Sequence, residues 1–149
     1  MAKSQGLPKR SEVKPQNTWN LAALFQSDKA WETAFKQWEA RIAGYAAFVG
    51  RLGESAQMIA DLMAFDYGFD QAAEKLANYA FLKTAEDEGD SRYQRMKGRF
   101  THASTKASEA AAWIRPELLA IEPARMETFL AEETDKWGKA VRAADIKAE

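Results

Sequence analysis

Two evenly spaced runs of apolar residues between positions 55 and 115 constrain the fold of this chain more than any other feature. Within each run, apolar side chains recur at alternating steps of four and three residues. Residues three and four apart lie on the same face of an α-helix, so each run predicts one long amphipathic helix. The members are Met58, Leu62, Phe65, Phe69, Ala72, Leu76 and Tyr79, then Tyr93, Met96, Phe100, Ala103, Ala107, Ala110 and Ile114.

The short polar segment 86–90 separates the two runs and contains four acidic residues and one glycine. A link this short makes two helices antiparallel neighbours, so the runs predict a helical hairpin. Ser55 and Asp90 or Ser91 are the expected N-caps of its helices. A third stripe with the same steps predicts an earlier, aromatic helix that begins at Ser27 or Asp28. Its members are Trp31, Phe35, Trp38, Ile42, Tyr45 and Val49.

The predicted fold class is therefore all-α, an antiparallel helical bundle built on a long helical hairpin with a packed N-terminal aromatic helix. We expect residues 1–16 to form a flexible lead-in and residues 17–131 to form the bundle, with Trp19 as a buried anchor. Pro123 is expected to open a short fourth helix. Residues 132–149 are then expected to be the start of a helix that this chain does not complete.

The charge balance and composition exclude several classes of protein. Lys and Arg number 21 against 22 Asp and Glu, which leaves a net charge of -1. This balance provides no basic excess for nucleic acid or for an anionic membrane surface, so neither partner is expected. No run of about 18 apolar residues is present, and the chain has no cysteine. We expect a soluble, cytoplasmic protein.

The residues able to carry chemistry do not form a catalytic or metal-binding pattern. His102 is the single histidine, whereas a zinc site needs three or four protein ligands. The acidic segment 86–90 lacks the alternating ligands of a calcium loop. Asp61, Asp66, Asp70 and Glu74 lie along the first hairpin helix, where we expect ion pairs with Arg92, Arg95, Lys97 and Arg99 of the next helix. We therefore predict no catalytic, cofactor-binding or metal-binding residue.

Several stretches, taken in order, resemble the N-terminal region of oligoendopeptidase F, a zinc metallopeptidase of the thimet-oligopeptidase type. The resemblance covers nearly the whole chain from about residue 8. Its order and spacing make it specific, although no single stretch is decisive. The matching segments are 8–13, Thr18-Trp19-Asn20-Leu21, Leu24-Phe25, 27–32, 48–55, 79–83 and Trp113-Ile114-Arg115-Pro116 with the three residues that follow.

The resemblance implies a non-catalytic helical lobe that shapes the channel for short peptide substrates in a much larger enzyme. In that family, zinc is held by a His-Glu-x-x-His helix and a further glutamate, none of which occurs here, so zinc is expected in the missing catalytic domain. The resemblance also implies that residues 132–149 lead to an absent C-terminal catalytic domain. This chain should be inactive alone, and its partners would be that domain and, in the full-length enzyme, short peptides.

The alternative is a stand-alone helical protein-interaction module with a closed C-terminus. The lobe hypothesis predicts an uncovered apolar patch that includes Trp137 and Val141, through which the chain could self-associate.

Overall fold

The computed structural model describes residues 12–144, which contain five α-helices and no strand. The all-α prediction is therefore confirmed. Short 3-10 helices cover Pro15–Asn17, Leu21–Ala23 and Ile42–Ala47. The α-helices are α1 (Asp28–Arg41), α2 (Ala56–Glu86), α3 (Ser91–Ala111), α4 (Ile114–Leu119) and α5 (Pro123–Ala143).

The helices begin at the predicted polar residues. The Ser27 hydroxyl accepts a hydrogen bond from the backbone N–H of Ala30 at 3.2 Å, and the Ser55 hydroxyl accepts one from Met58 at 3.1 Å. Each bond satisfies a backbone donor of the first turn that has no partner within the helix. Pro123 opens α5 as predicted, where its missing N–H costs nothing.

The chain divides into two compact units. Of the described residues, the first unit contains 12–40 and 69–107, and the second contains 41–68 and 108–144. Helices α2 and α3 each contribute one part to each unit. The expected domain limits stay predictions, and the limit between residues 131 and 132 falls inside α5.

The core of the first unit is aromatic. Trp31, Phe35 and Trp38 of α1 are at most 2% exposed. Trp38 stacks on Phe69 of α2 and on Phe100 of α3, with ring centroids 4.9 and 5.4 Å apart. These contacts join three helices through one indole and confirm that the aromatic helix packs on the hairpin.

Each buried indole of α1 also has a polar partner on α2. Trp31 Nε1 donates to the carbonyl of Leu76 at 2.9 Å, and Trp38 Nε1 donates to the carbonyl of Phe69 at 3.2 Å. A helix carbonyl has a second lone pair, so it can accept these bonds without losing its own helix bond. The two indole hydrogen bonds therefore fix the position of α1 along α2, in addition to the apolar area that the rings bury.

The hairpin within the first unit is antiparallel. The Thr84 hydroxyl donates to the carbonyl of Ala80 in its own helix and also lies 3.1 Å from the carbonyl of Tyr93. Further from the turn, the rings of Phe81 and Phe100 meet edge to face at 6.5 Å. Contact between residues before and after one short turn confirms the predicted hairpin.

The second unit has its own core. Tyr45, Leu52, Leu62 and Phe129 are at most 4% exposed. The ring of Phe65 meets that of Tyr45 edge to face at 5.0 Å. Four separate stretches of the sequence thereby share one apolar interior.

Three predicted details of the elements are wrong. Trp19 is 53% exposed, and Leu21, at 7% exposure, occupies the buried position instead. Helix α1 ends at Arg41 rather than continuing to Val49, because the chain tightens there into a 3-10 turn with a shorter period, and Val49 is 51% exposed. The helix predicted to begin at Pro123 is not short. It is α5, which extends over 21 residues of a sequence rich in the helix formers Ala, Glu and Lys.

Candidate functional site

His102 and the acidic segment do not form a reactive centre. His102 is exposed on α3. Among residues 12–144, no group of three or more His, Cys, Asp or Glu side chains is placed to hold a metal ion. These described residues therefore do not fit the zinc that the family resemblance implies for the enzyme as a whole.

The acidic segment instead forms the turn between α2 and α3. Asp87 Oδ1 accepts a hydrogen bond from the N–H of Gly89 at 3.0 Å. Asp90 accepts bonds from the backbone N–H of Arg92 at 2.8 Å and from its guanidinium at 2.6 Å. Together these bonds lower the pKa of Asp90 to about 2. The carboxylates thus serve to close the turn and to begin α3.

The predicted ion pairs between the α2 carboxylates and the basic residues of α3 are wrong for Arg99. Its guanidinium makes a bidentate pair with Glu32 of α1 at 2.7 and 2.9 Å. Hydrogen bonds from Arg99 hold the pKa of Glu32 below its usual value. Asp66 of α2 accepts the hydroxyl of Tyr45, and Asp61 accepts the side-chain amide of Gln57. The bundle brings α1, rather than α2, against this side of α3.

A polar cluster in the first unit joins the start of α1 to both helices of the hairpin. The hydroxyl of Tyr79 donates to Asp28 Oδ1 at 2.8 Å, and that of Tyr93 donates to Asp28 Oδ2 at 3.3 Å. The ammonium of Lys83 lies 5.6 Å from the centre of the Tyr79 ring and 5.2 Å from that of Tyr93. The carboxylate also lies in the first turn of α1, where negative charge stabilises a helix.

The hydrogen bonds of this cluster join α1 to α2 and α3, and its residues do not provide a general base. Burial raises the pKa of Tyr79 well above its usual value, and the hydrogen bond to Asp28 and the charge of that carboxylate raise it further. A general base requires a group that gives up its proton near the working pH. Tyr79 keeps its proton and holds Asp28 in place.

A second cluster fastens a loop of the second unit onto α4. Glu117 accepts hydrogen bonds from the backbone N–H groups of Gly50 and Leu52, both at 2.8 Å and one on each carboxylate oxygen. Gly50 has a φ of 76°, a left-handed conformation in which glycine carries no Cβ penalty. We call this arrangement the Glu117 clasp. The N–H groups of Gly50 and Leu52, on either side of Arg51, converge on one anion as in an anion-binding nest, and here the anion belongs to the protein itself.

Helix α5 holds the same loop from its other end. The guanidinium of Arg125 donates to the carbonyls of Gly53 and Glu54 at 3.2 and 2.9 Å. It also lies 5.0 Å from the centre of the Phe129 ring. The loop therefore has two of its N–H groups bound from α4 and two of its carbonyls bound from α5.

The exposed surface of the second unit carries apolar side chains. A shallow groove runs between α2 and α5, with Met63 and Leu130 on its rims and the buried Phe129 at its base. Lys136 of α5 reaches across to Gln57 of α2 at 3.2 Å. Along α5, Leu130 and Trp137 are each 62% exposed, and Val141 is 43% exposed. The expected apolar patch around Trp137 and Val141 is thus present.

None of the described helices combines the length and the apolar character needed to cross a lipid bilayer.

The chain is similar in sequence to bacterial oligopeptidases. It is 31% identical over 133 residues to oligopeptidase PepF of Bacillus subtilis (strain 168), an alignment that covers 89% of this chain and 20% of that protein. It is 28% identical over 126 residues to group B oligopeptidase PepB of Streptococcus agalactiae serotype III (strain NEM316), which covers 85% of this chain and 21% of the relative. Plasmid oligoendopeptidase F of Lactococcus lactis subsp. cremoris is 28% identical over 128 residues, with coverage of 83% and 21%.

The resemblance to oligoendopeptidase F is confirmed by these relatives, and the chain spans about a fifth of their length. No family model matches the chain, and no solved structure is significantly similar to it.

The polar cluster of Asp28, Tyr79 and Tyr93 and the Glu117 clasp were not predicted from the sequence. Both join residues more than 50 positions apart, and no local spacing signals such a contact. The one local indication of the Glu117 clasp was Gly50, which lies in a segment where the helical pattern is interrupted and therefore predicts a turn.

Proposed function

We propose, on the basis of its homology to oligoendopeptidase F, that this chain is the N-terminal, non-catalytic helical part of an oligopeptidase of that type. The observation that carries the proposal is the alignment to the B. subtilis oligopeptidase, which takes in 89% of this chain and a fifth of the relative. An alignment that covers most of this chain but only a fifth of the relative is what we expect if the chain corresponds to one part of a larger enzyme.

The non-catalytic role is supported by what the polar side chains do. Asp28, Asp90 and Glu117 each accept hydrogen bonds that hold an element of the fold in place. Tyr79 has its proton held by burial and by Asp28. Catalytic groups need the opposite setting, with a pKa near the working pH and open access to substrate.

The role that remains for such a part is mechanical. Its hydrogen-bonded clusters and its aromatic core hold helices and a loop in place within each unit, and helices held beside a catalytic centre can limit which peptides reach it. We assign the chain to shaping a channel for short peptide substrates, with the remaining four fifths of the polypeptide as its partner. Zinc chemistry is assigned to that remaining part, in a cytoplasmic enzyme, and no step of it to this chain.

A chimera tests this proposal. In the B. subtilis oligopeptidase, the segment that aligns with this chain would be replaced by this chain, and hydrolysis of a short quenched peptide would be measured beside that of a long unfolded polypeptide. We expect cleavage of the short peptide and continued discrimination against the long one. A folded chimera that cleaves neither, or that cleaves both equally, would contradict the proposal.

A matched control uses the same chimera with Trp31→Ala. Trp31 is fully buried and its indole bonds to α2, so its loss should cost about 3–5 kcal/mol and remove the effect of a correctly folded insert. If this variant behaved like the intact chimera, the folded helices would have no role in the activity.

A further inference from the structure

A small cavity of the first unit lies where the segment before α1 meets the end of α2. Its volume is about 190 Å³. Cavities that hold a drug-sized ligand measure about 300–1,000 Å³, so this one has room for a single side chain rather than a whole peptide. We call it the Trp19 cavity. The residues that line it are Val13, Asn17, Thr18, Trp19, Ala85 and Glu86.

Trp19 gives this cavity an aromatic wall that the core of the fold does not use. The side chain is 53% exposed, although an indole gains much from burial, and Leu21 is the buried residue of this segment. Among residues 12–144, neither the indole N–H of Trp19 nor the side-chain amide of Asn17 has a hydrogen-bond partner. A concave surface that combines an exposed ring with polar groups of this kind is typical of a ligand site.

The charges around the cavity favour a cation. Glu86 is the last residue of α2, where the carbonyl groups of the final turn form the negative end of the helix dipole. Asp87 and Glu88 follow it directly in the sequence. The ammonium of Lys83 lies over two tyrosine rings of the first unit. The one acidic and the one basic residue of segment 12–19 balance each other.

We propose that the Trp19 cavity binds the guanidinium group of an arginine side chain of a peptide. A guanidinium is planar and stacks on an indole, and its fork of N–H donors matches a carboxylate. Trp19 supplies the ring, Glu86 the carboxylate, and Asn17 an amide oxygen as a further acceptor. The proposal does not rest on the proposed function, because it concerns binding rather than cleavage.

Nuclear magnetic resonance of the ¹⁵N-labelled chain tests the proposal. The chain contains five tryptophans, and the indole N–H signal of Trp19 is identified by its loss in Trp19→Phe. On titration with acetyl-arginine amide, we expect a saturable shift of the Trp19 signal, while the signals of the other four indoles stay in place. The absence of a saturable shift at Trp19 would overturn the proposal.

Two further probes define the chemistry of the ligand. Acetyl-citrulline amide keeps the shape of the arginine probe without its charge, and it should bind at least about tenfold more weakly. Acetyl-lysine amide keeps the charge without the planar fork and should also bind more weakly than the arginine probe. Equal affinity for the citrulline probe would contradict the role of charge. Equal affinity for the lysine probe would contradict the choice of a guanidinium.

A matched pair of variants locates the site. Glu86→Gln should weaken binding of acetyl-arginine amide at least about tenfold, because it removes the carboxylate of the cavity. Glu88→Gln is the control, since Glu88 is an exposed carboxylate of the same turn that does not line the cavity. Circular dichroism establishes that both variants are folded. Equal losses in the two variants would indicate general attraction to negative charge and would contradict a site.

Arg10 is a second source of a guanidinium, within the chain itself and outside the described residues. The titration is therefore repeated with Arg10→Gln. Equal affinities of this variant and the unmodified chain for acetyl-arginine amide would support an occupant from a peptide. Binding by Arg10→Gln alone would show that the chain's own arginine fills the cavity, which would overturn the proposal.

Discussion

The carboxylate of Glu117 accepts a hydrogen bond from the backbone N–H of Leu52 at 2.8 Å, although the two residues are 65 positions apart in the sequence. Leu52 is fully buried, so the bond lies where a loop enters the core of the second unit. The other carboxylate oxygen binds the N–H of Gly50 at the same distance. One side chain therefore satisfies two backbone donors, of which the N–H of the buried Leu52 would otherwise lack a partner in the core.

Removing the Glu117 clasp should destabilise the chain. Glu117→Ala is expected to lower the free energy of unfolding by about 1–3 kcal/mol in urea denaturation. Glu117→Gln should be nearly as harmful, because the amide presents an N–H₂ group to one of two N–H donors. Glu109→Ala, an exposed change on α3, is the control and should stay within about 0.5 kcal/mol. Equal stability of the Gln variant and the unmodified chain would show that the clasp does not need both oxygens.

Gly44 is required by the ring of Phe65. A Cβ placed on Gly44 would lie 2.8 Å from Cζ of that ring, which is packed against Tyr45 and cannot easily move away. Gly44→Ala should therefore lower the free energy of unfolding by about 1–3 kcal/mol. Gly53→Ala is the matched control, since nothing lies within 4 Å of its added Cβ. A larger loss of unfolding free energy for Gly53→Ala than for Gly44→Ala would contradict the close contact between Gly44 and the ring of Phe65.

The buried hydroxyl of Tyr79 predicts a loss of stability at high pH. Its pKa is raised in the folded chain by burial and by Asp28, so the unfolded chain releases this proton first, near pH 10. The contribution is fully present below pH 10 and decreases as the pH rises above it. Unfolding free energies measured from pH 8 to 11.5 should fall less steeply for Tyr79→Phe than for the unmodified chain. Tyr67→Phe, at an exposed tyrosine of α2, should leave the slope unchanged.

The turn before α3 predicts a second pH effect at the acid end. The pKa of Asp90 lies near 2 in the folded chain, below its ordinary value of 3.8. Stability from Asp90 is therefore present above pH 4 and is lost as the pH falls toward 2. Asp90→Asn keeps a capping oxygen but cannot ionise, so its unfolding free energy should depend less on pH between 4 and 2. Identical pH profiles for the two chains would refute the role of the Arg92 pair.

Helix positions and core faces followed from periodicity because they depend on residues three and four apart. Phe69, Leu76 and Phe100 are buried where their stripes placed them, and Ser55 caps α2 as its position suggested. The prediction that Val49 is buried was wrong because the change from α to 3-10 geometry at residues 41–42 alters the period of the stripe.

Contacts between distant positions were beyond the reach of periodicity. In a helical hairpin, several carboxylates of α2 are plausible partners for Arg99. Arg99 pairs with Glu32 instead because α1 packs beside α3 at this position. The Glu117 clasp depends on a carboxylate meeting a loop 65 positions away, and the exposure of Trp19 depends on Leu21 occupying the interior in its place. Such outcomes are set by tertiary packing rather than by local pattern.

Peptidase activity in two parts tests the central claim most directly. This chain would be assayed with a short quenched peptide, alone with added zinc and then mixed with the B. subtilis oligopeptidase from which the aligned fifth has been removed. We predict no cleavage by the chain alone and recovered cleavage in the mixture. Zinc-dependent cleavage by the chain alone would contradict it, because residues 12–144 contain no cluster able to hold the metal.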